Sequence, residues 1–251
     1  MSGHSKWSTI KRQKGVTDAR RGAFFTKAAN AITVAARQGG GTPETNFKLR
    51  LAIESARRVN MPKENIERAI NRAVGAAKEG RLEEITYEGF GPFGVGVLVE
   101  VVTENRQRTA QEVRSILERA GGHLAGPGSV AHLFVPVGEV AIRAKDDLDP
   151  DHLLLVAADA GADDVELAGG EAIIYCKIPQ LENVKENIAG EKYEIIETRL
   201  SRKPTSFVQI EDEKTAASIL SLVGKLDDIV DVQRVYANFD IPEEILKKET
   251  V

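Results

Sequence analysis

Apolar positions recur at helical spacing through the first third of the chain and then give way to strand-like runs. Phe25, Ala28, Ala29, Ile32, Ala35 and Ala36 form one face of a helix that opens at Thr17 or Asp18, both good N-cap types, and stops at Gly39-Gly40-Gly41. Leu49, Ala52, Ile53 and Ala56 make a second stripe. Thr42-Pro43 reads as its cap followed by proline at the first helical position, and Asn60-Met61-Pro62 as its end, because the residue before proline is pushed out of the helical region. A third helix carries Ile66, Ala69, Ile70, Ala73, Val74 and Ala77 on one face, with Glu64 and Arg68 as an i,i+4 pair. Gly75 weakens its end and Gly80 closes it.

From Val95 the period changes. Residues 95–102 read as a buried strand, and residues 108–120 as a helix that ends at Gly121-Gly122. Strands follow at 129–137 and 139–144, a helix at 151–160, strands at 164–167 and 172–178, and a helix at 179–188. Further strands fall at 193–200 and 206–210, then a helix at 213–226 and a strand at 231–239. The predicted class is α+β. Residues 1–81 form a three-helix basic domain with an N-terminal arm. Residues 138–203 supply a complete two-layer βαββαβ (ferredoxin-like) unit, inserted into a second one made of 82–137 plus 204–251, so that each sheet has four strands and two covering helices; the rival is a contiguous parse, in which sequential strands are neighbours but the first half holds three strands.

Charge gives this division a functional edge. The 251-residue chain has formal net charge −4, yet residues 1–81 hold 17 Lys and Arg against 6 Asp and Glu, or +11. Against chain totals of 34 basic and 38 acidic residues, that leaves 17 and 32 in the remainder, or −15. Asymmetry of this size points to a basic module that meets a polyanion, carried by an acidic body that avoids it. The first residues are its densest part: Lys6, Lys11, Arg12, Lys14, Arg20, Arg21 and Lys27 are candidate phosphate contacts, whereas Lys48, Arg50, Arg57 and Arg58 decorate the remaining helix faces. Trp7, the one tryptophan, fits two roles, stacking on an unpaired base or docking the arm onto the bundle.

Chemistry finds little purchase. Gly89-x-Gly91-x-x-Gly94 has dinucleotide spacing but precedes a strand and contains Pro92, where that motif must follow a strand and open a helix. Gly126 is followed by Pro127 rather than by a P-loop lysine. Asp147-x-Asp149-x-Asp151 fails as a calcium loop, since His152 stands at the glycine position, and fits the N-terminus of the following helix instead. The four histidines have no metalloprotease spacing, and Cys176, the single cysteine, lies in an apolar strand. No nucleophile and base pair up, so the expectation is a non-enzyme without cofactor, metal or small-molecule substrate. With no long apolar run and no secretory signal, a cytoplasmic protein without a membrane partner is expected.

Gly3-His4-Ser5-Lys6-Trp7, Ile10-Lys11-Arg12-x-Lys14, Asp18-x-Arg20-Arg21, Phe25-x-Lys27 and, above all, Asn60-Met61-Pro62-Lys63-Glu64-Asn65-Ile66-Glu67-Arg68-Ala69-Ile70 resemble the YebC/PmpR family. Tyr87-Glu88-Gly89-Phe90-Gly91-Pro92 and Asn105-Arg106-x-Arg108-Thr109 extend the resemblance over essentially the whole chain. Phe93 departs from it, standing where the family usually has glycine, and residues 124–129 vary its Gly-rich turn. The resemblance implies a DNA-binding transcriptional regulator. Its mitochondrial relatives, translational activators of cytochrome c oxidase, imply an alternative: a ribosome-associated translation factor that binds rRNA or tRNA and assists synthesis of difficult sequences such as proline-rich ones. Phosphate binding carries no sequence information, so the residues leave DNA and ribosomal RNA both open.

Overall fold

The structure is a computed structural model and describes residues 9, 18–75, 82–144, 149–168, 170–191 and 193–248. The described chain divides into two compact units, one of residues 18–131 and 217–237, the other of Thr9 with 132–216 and 238–248.

The first unit begins with three helices, α1 (Asp18–Gly39), α2 (Phe47–Arg58) and α3 (Lys63–Val74). Their core is the predicted one: Ile32, Ala35 and Ala36 meet Leu49, Ile53, Ala56, Met61, Ile66 and Ala69, all buried. The start of α2 differs from expectation. Residues 42–46 form a turn, and Asn46 is the cap, its Oδ1 accepting from Leu49 N at 3.1 Å while its amide donates to Ala35 O and Gly40 O at 2.7 and 2.8 Å. One side chain thus closes α1 and opens α2, which Thr42 cannot do from four residues upstream. At the other end Asn60 takes a left-handed φ of 58°. Asn60 N and Met61 N bond back to Arg57 O and Ala56 O, and buried Met61 anchors the stop. Helix α3 pairs Lys63 with Glu67 at 3.5 Å, and Arg72 reaches Glu104 at 2.6 Å, in place of the expected Glu64 and Arg68 pair.

The rest of this unit is a sheet of order β3-β1-β2-β9, built from β1 (Glu83–Phe90), β2 (Gly96–Thr103), β3 (His123–Ala125) and β9 (Val232–Ala237), with α4 (Arg106–Arg119) and α7 (Glu213–Asp227). Strand β1 was not foreseen, and the strand expected from residue 129 begins only at Phe134, after a 3-10 turn at residues 131–133. The reason lies in Glu88. Its carboxylate is buried within β1 and accepts from the backbone N–H groups of Gly128, Val130 and Ala131 at 2.7, 2.6 and 2.8 Å, so a charged residue sits inside a central strand while fixing the turn.

The second unit holds β4 (Phe134–Ala144), α5 (Pro150–Asp159), β5 (Asp164–Ala168), β6 (Glu171–Cys176), α6 (Leu181–Ala189) and β7 (Tyr193–Pro204), a βαββαβ run in an antiparallel sheet of order β5-β6-β4-β7. The two strands expected at 129–137 and 139–144 are a single β4. Pro136 is accommodated because pairing with β6 begins only at Gly138, so the missing N–H falls where β4 has one neighbour. Gly138 is required by packing: a Cβ there would lie 2.9 Å from both Cys176 Sγ and Leu181 Cβ. Asp149 caps α5, accepting from Asp151 N and His152 N at 3.1 and 3.2 Å, as the acidic cluster predicted; Asp147 lies outside the described residues. A parallel pair, β8 (Val208–Gln209) with β10 (Phe239–Asp240), and α8 (Glu243–Lys248) complete the unit.

Candidate nucleic-acid interface

Of the candidate phosphate contacts, Lys6, Lys11, Arg12 and Lys14, together with Trp7, lie outside the described residues. Arg20 and Arg21 fall on the first turn of α1. Lys27 is half-buried, and its ammonium donates to the main-chain carbonyl of Asp227, the last residue of α7. Carbonyls at a helix C-terminus carry partial negative charge, so this cation is engaged inside its own unit.

The helical bundle adds a corner that the sequence reading passed over as decoration. Arg57 and Arg58 end α2, a four-residue turn follows, and Lys63 opens α3; all three side chains are exposed. Pro62 offers α3 no side-chain cap, so first-turn N–H groups point outward beside these cations. Arg68 stands one turn further along α3, exposed, and among the described residues neither it nor Arg57 makes an ion pair. The signal was present in the sequence as Arg57-Arg58 and Lys63 flanking Pro62, two helix ends brought together by one tight turn.

Elsewhere the polar groups are spent on structure. Asp231 Oδ2 accepts from Thr103 Oγ1 at 2.9 Å, from Thr109 Oγ1 at 2.6 Å and from Arg108 Nη2 at 2.6 Å. Burial alone would push the Asp231 carboxyl up, but the hydrogen bonds from Thr109, Arg108 and Thr103 together outweigh it and hold it below the usual carboxylate range. Asn105 caps α4 by accepting from Arg108 N at 3.0 Å, and Tyr87 donates to Arg106 O at 2.9 Å. In the second unit, Arg199 meets Glu139 at 2.6 Å and Glu197 at 3.2 Å, and Arg143 meets Glu171 at 2.6 Å. Lys203 pairs with Asp164 and lies 4.4 Å over the Tyr175 ring. Strand register sets Glu139 opposite both Tyr175 and Arg199, and Arg143 opposite Glu171, on one sheet face. Cations already matched by carboxylates leave that face little attraction for a phosphate backbone. Burial pushes the Cys176 thiol up to about 11, which keeps it protonated and inert. Among the described residues no group of side chains could hold a metal ion, and no helix is long and apolar enough to cross a membrane.

Comparison with known proteins decides the lineage. The family model for the TACO1/YebC N-terminal domain matches residues 5–76, and that for the TACO1/YebC second and third domain matches residues 82–239. The chain belongs to the TACO1/YebC family. A Chloroflexus aurantiacus relative, named "Probable transcriptional regulatory protein", is 47% identical over 250 residues, covering 99% of both chains. One of the same name from Rubrobacter xylanophilus is 49% identical over 249 residues, covering 98% of each. The crystal structure of a conserved hypothetical protein from Aquifex aeolicus superposes with a TM-score of 0.84 at 44% identity, covering 91% of this chain and 94% of that one. The α+β architecture, N-terminal helices followed by antiparallel sheets, is therefore that of a solved TACO1/YebC relative. Several described residues of the motifs that carried the resemblance serve as caps, turn clamps and strand-to-helix ties, among them Asn60, Glu88, Asn105, Arg108 and Thr109.

Proposed function

We propose that the protein is a non-enzymatic, nucleic-acid-binding regulator of transcription that acts without a cofactor. Lys6, Lys11, Arg12, Lys14, Arg20 and Arg21 contact phosphates, joined by Arg57, Arg58 and Lys63, Trp7 meets the nucleic acid with the arm, and Lys27, held by the Asp227 carbonyl, braces the helix behind them. One observation carries this reading: the sign of charge is segregated along the chain, +11 over residues 1–81 and −15 over the rest. The name shared by its relatives supports the regulatory role. A cytoplasmic location fits such a role.

A second reading, a translation factor on ribosomal or transfer RNA, is favoured by the outer face of α3. That helix follows α2 through a four-residue turn, as a recognition helix would, yet it exposes Glu64 and Glu67. Carboxylates on the exposed face suit the major groove of DNA poorly, whereas phosphate-directed binding to structured RNA needs no reading helix. In-cell crosslinking followed by sequencing of both DNA and RNA separates the two. Promoter DNA is the expected catch; recovery of rRNA or tRNA alone would overturn direct transcriptional control.

We also propose that residues 138–203 are an inserted domain between 82–137 and 204–251. Support comes from β4 and β7, which pair from Phe134 with Pro204 onward, so the segment enters and leaves on adjacent strands. Replacing 138–203 by a short flexible linker is expected to leave a remainder with a cooperative thermal transition by circular dichroism, and a remainder without one would sink the proposal.

A further inference from the structure

The connection between β1 and β2 has a backbone suited to glycine. Gly91 N donates to Val95 O at 2.8 Å, Val95 N to Pro92 O at 3.3 Å, and Gly94 takes φ +77°. Between Pro92 and Gly94 stands Phe93, with φ 60° and ψ 20°. This left-handed conformation presses Cβ towards the following carbonyl and is an outlier for a bulky side chain. The ring gains nothing from folding in exchange, since Phe93 is 70% exposed, more than any other large hydrophobic residue described. A strained backbone that displays an aromatic ring to water calls for a role outside the fold.

The surroundings select the ligand. Strand register places Phe90 opposite both Gly96 and His123, at the same end of the sheet as the tip. The Phe90 and His123 rings lie 5.5 Å apart and 33° from parallel, and His123 is exposed. Arg119, also exposed, closes α4 and is joined to His123 by a short turn. The other exposed large hydrophobics of this unit are Val74, at the end of α3, and Val230, just before β9, whose Val232 pairs with Val101 at the far end of β2. Among the described residues of its unit, Phe93 therefore has no apolar patch around it, as the centre of a protein interface would require. A lone ring with a second ring and a guanidinium nearby suits an unpaired base and its phosphate.

We propose that Phe93 is a stacking platform for an unpaired nucleobase of single-stranded nucleic acid, with His123 as the adjoining platform and Arg119 as the phosphate partner. This rests on the nucleic-acid-binding reading above and assigns it a second contact, remote in sequence from the basic arm.

The test measures binding of the full chain, by fluorescence anisotropy, to labelled oligouridine and oligothymidine strands of about 12 nucleotides and to a duplex of equal length. Phe93→Gly is expected to raise the melting temperature of the free protein by about 2 °C, through relief of the left-handed strain. The same change is expected to weaken single-strand binding roughly fivefold or more and to leave duplex binding unchanged. Phe93→Leu should bind as poorly as Phe93→Gly, and Phe93→Trp as well as wild type. A loss on uridine alone assigns the site to RNA, on thymidine alone to DNA, and on both to the base itself. Equal single-strand affinity for Phe93→Gly and wild type overturns this inference alone, as does full binding by Phe93→Leu, an equal loss on duplex, or a lower melting temperature. Absence of wild-type binding to any of the three probes overturns the nucleic-acid reading and this inference with it.

Discussion

Replacing Asp231 with alanine is expected to destabilise the β3-β1-β2-β9 unit by about 3 kcal/mol at neutral pH. Asp231 opens β9, and its carboxylate gathers Thr103 from the end of β2 with Arg108 and Thr109 from the first turn of α4. Both threonines are buried, so removing their shared charged acceptor leaves the hydroxyls only to each other, 2.9 Å apart, and to Asn105 O, 3.2 Å from Thr109 Oγ1. Arg108 differs, because its side chain is 54% exposed and recovers water when the partner goes. The expected order of cost is therefore Asp231→Ala, then Thr109→Val, then Arg108→Ala, with the last close to what a surface pair contributes. Chemical denaturation of the single variants measures it; Arg108→Ala costing as much as Asp231→Ala would show that the ion pair, not the hydroxyl clamp, carries the stability. The pH dependence has a fixed sign. The folded carboxyl sits below its unfolded value, so its contribution is complete above about pH 4 and is lost as pH falls through the lowered value. The gap between wild type and Asp231→Ala should be constant from neutral pH down to about pH 5 and shrink below about pH 4.

The same cluster shows where sequence reading stopped. The three N-terminal helices were legible because a 3.6-residue period is local, and the βαββαβ run was legible, over 138–203 and with its first strand cut short, because its apolar runs and turns alternate at short range. Strand β1 was hidden by Glu83, Glu84 and Glu88, charges that argue against a strand until the N–H groups receiving Glu88 are known, and these lie 40 to 43 residues ahead. Asn105-Arg106-x-Arg108-Thr109 was visible as a motif, yet its meaning depends on Asp231, more than 120 residues away. Asn46 escaped notice because serving two helices at once is a property of their packing, while Thr42-Pro43 matches the local rule better. In the candidate interface, the arm was found by charge density alone. Arg57 and Arg58 were read as decoration of a helix face and Lys63 only as part of a motif, and only the fold of the tight turn at Asn60 makes them neighbours.

Changing Lys11, Arg12 and Lys14 together to alanine is expected to reduce nucleic-acid affinity roughly a hundredfold at about 0.1 M salt. The arm carries no acidic residue before Asp18, so the sequence offers these cations no neighbouring carboxylate to compete with a phosphate. Each neutralised phosphate releases condensed counterions, and the log–log salt slope should therefore become shallower by about 2.7 on duplex DNA, or about 2 on single strands, for three lost contacts. The slope is the decisive readout, because a variant that merely misdocks the arm loses affinity without losing that many ions. Trp7→Ala provides the contrast: an affinity loss with an unchanged slope marks stacking or docking, not charge. The companion variant Arg57→Ala, Arg58→Ala, Lys63→Ala tests the bundle corner by the same plot. If the arm triple keeps the wild-type slope while the corner triple flattens it, the phosphate grip belongs to the turn between α2 and α3, and the arm assignment is wrong. If both flatten it, additively, both surfaces contact phosphates, which is what the segregation of +11 into the first 81 residues leads one to expect.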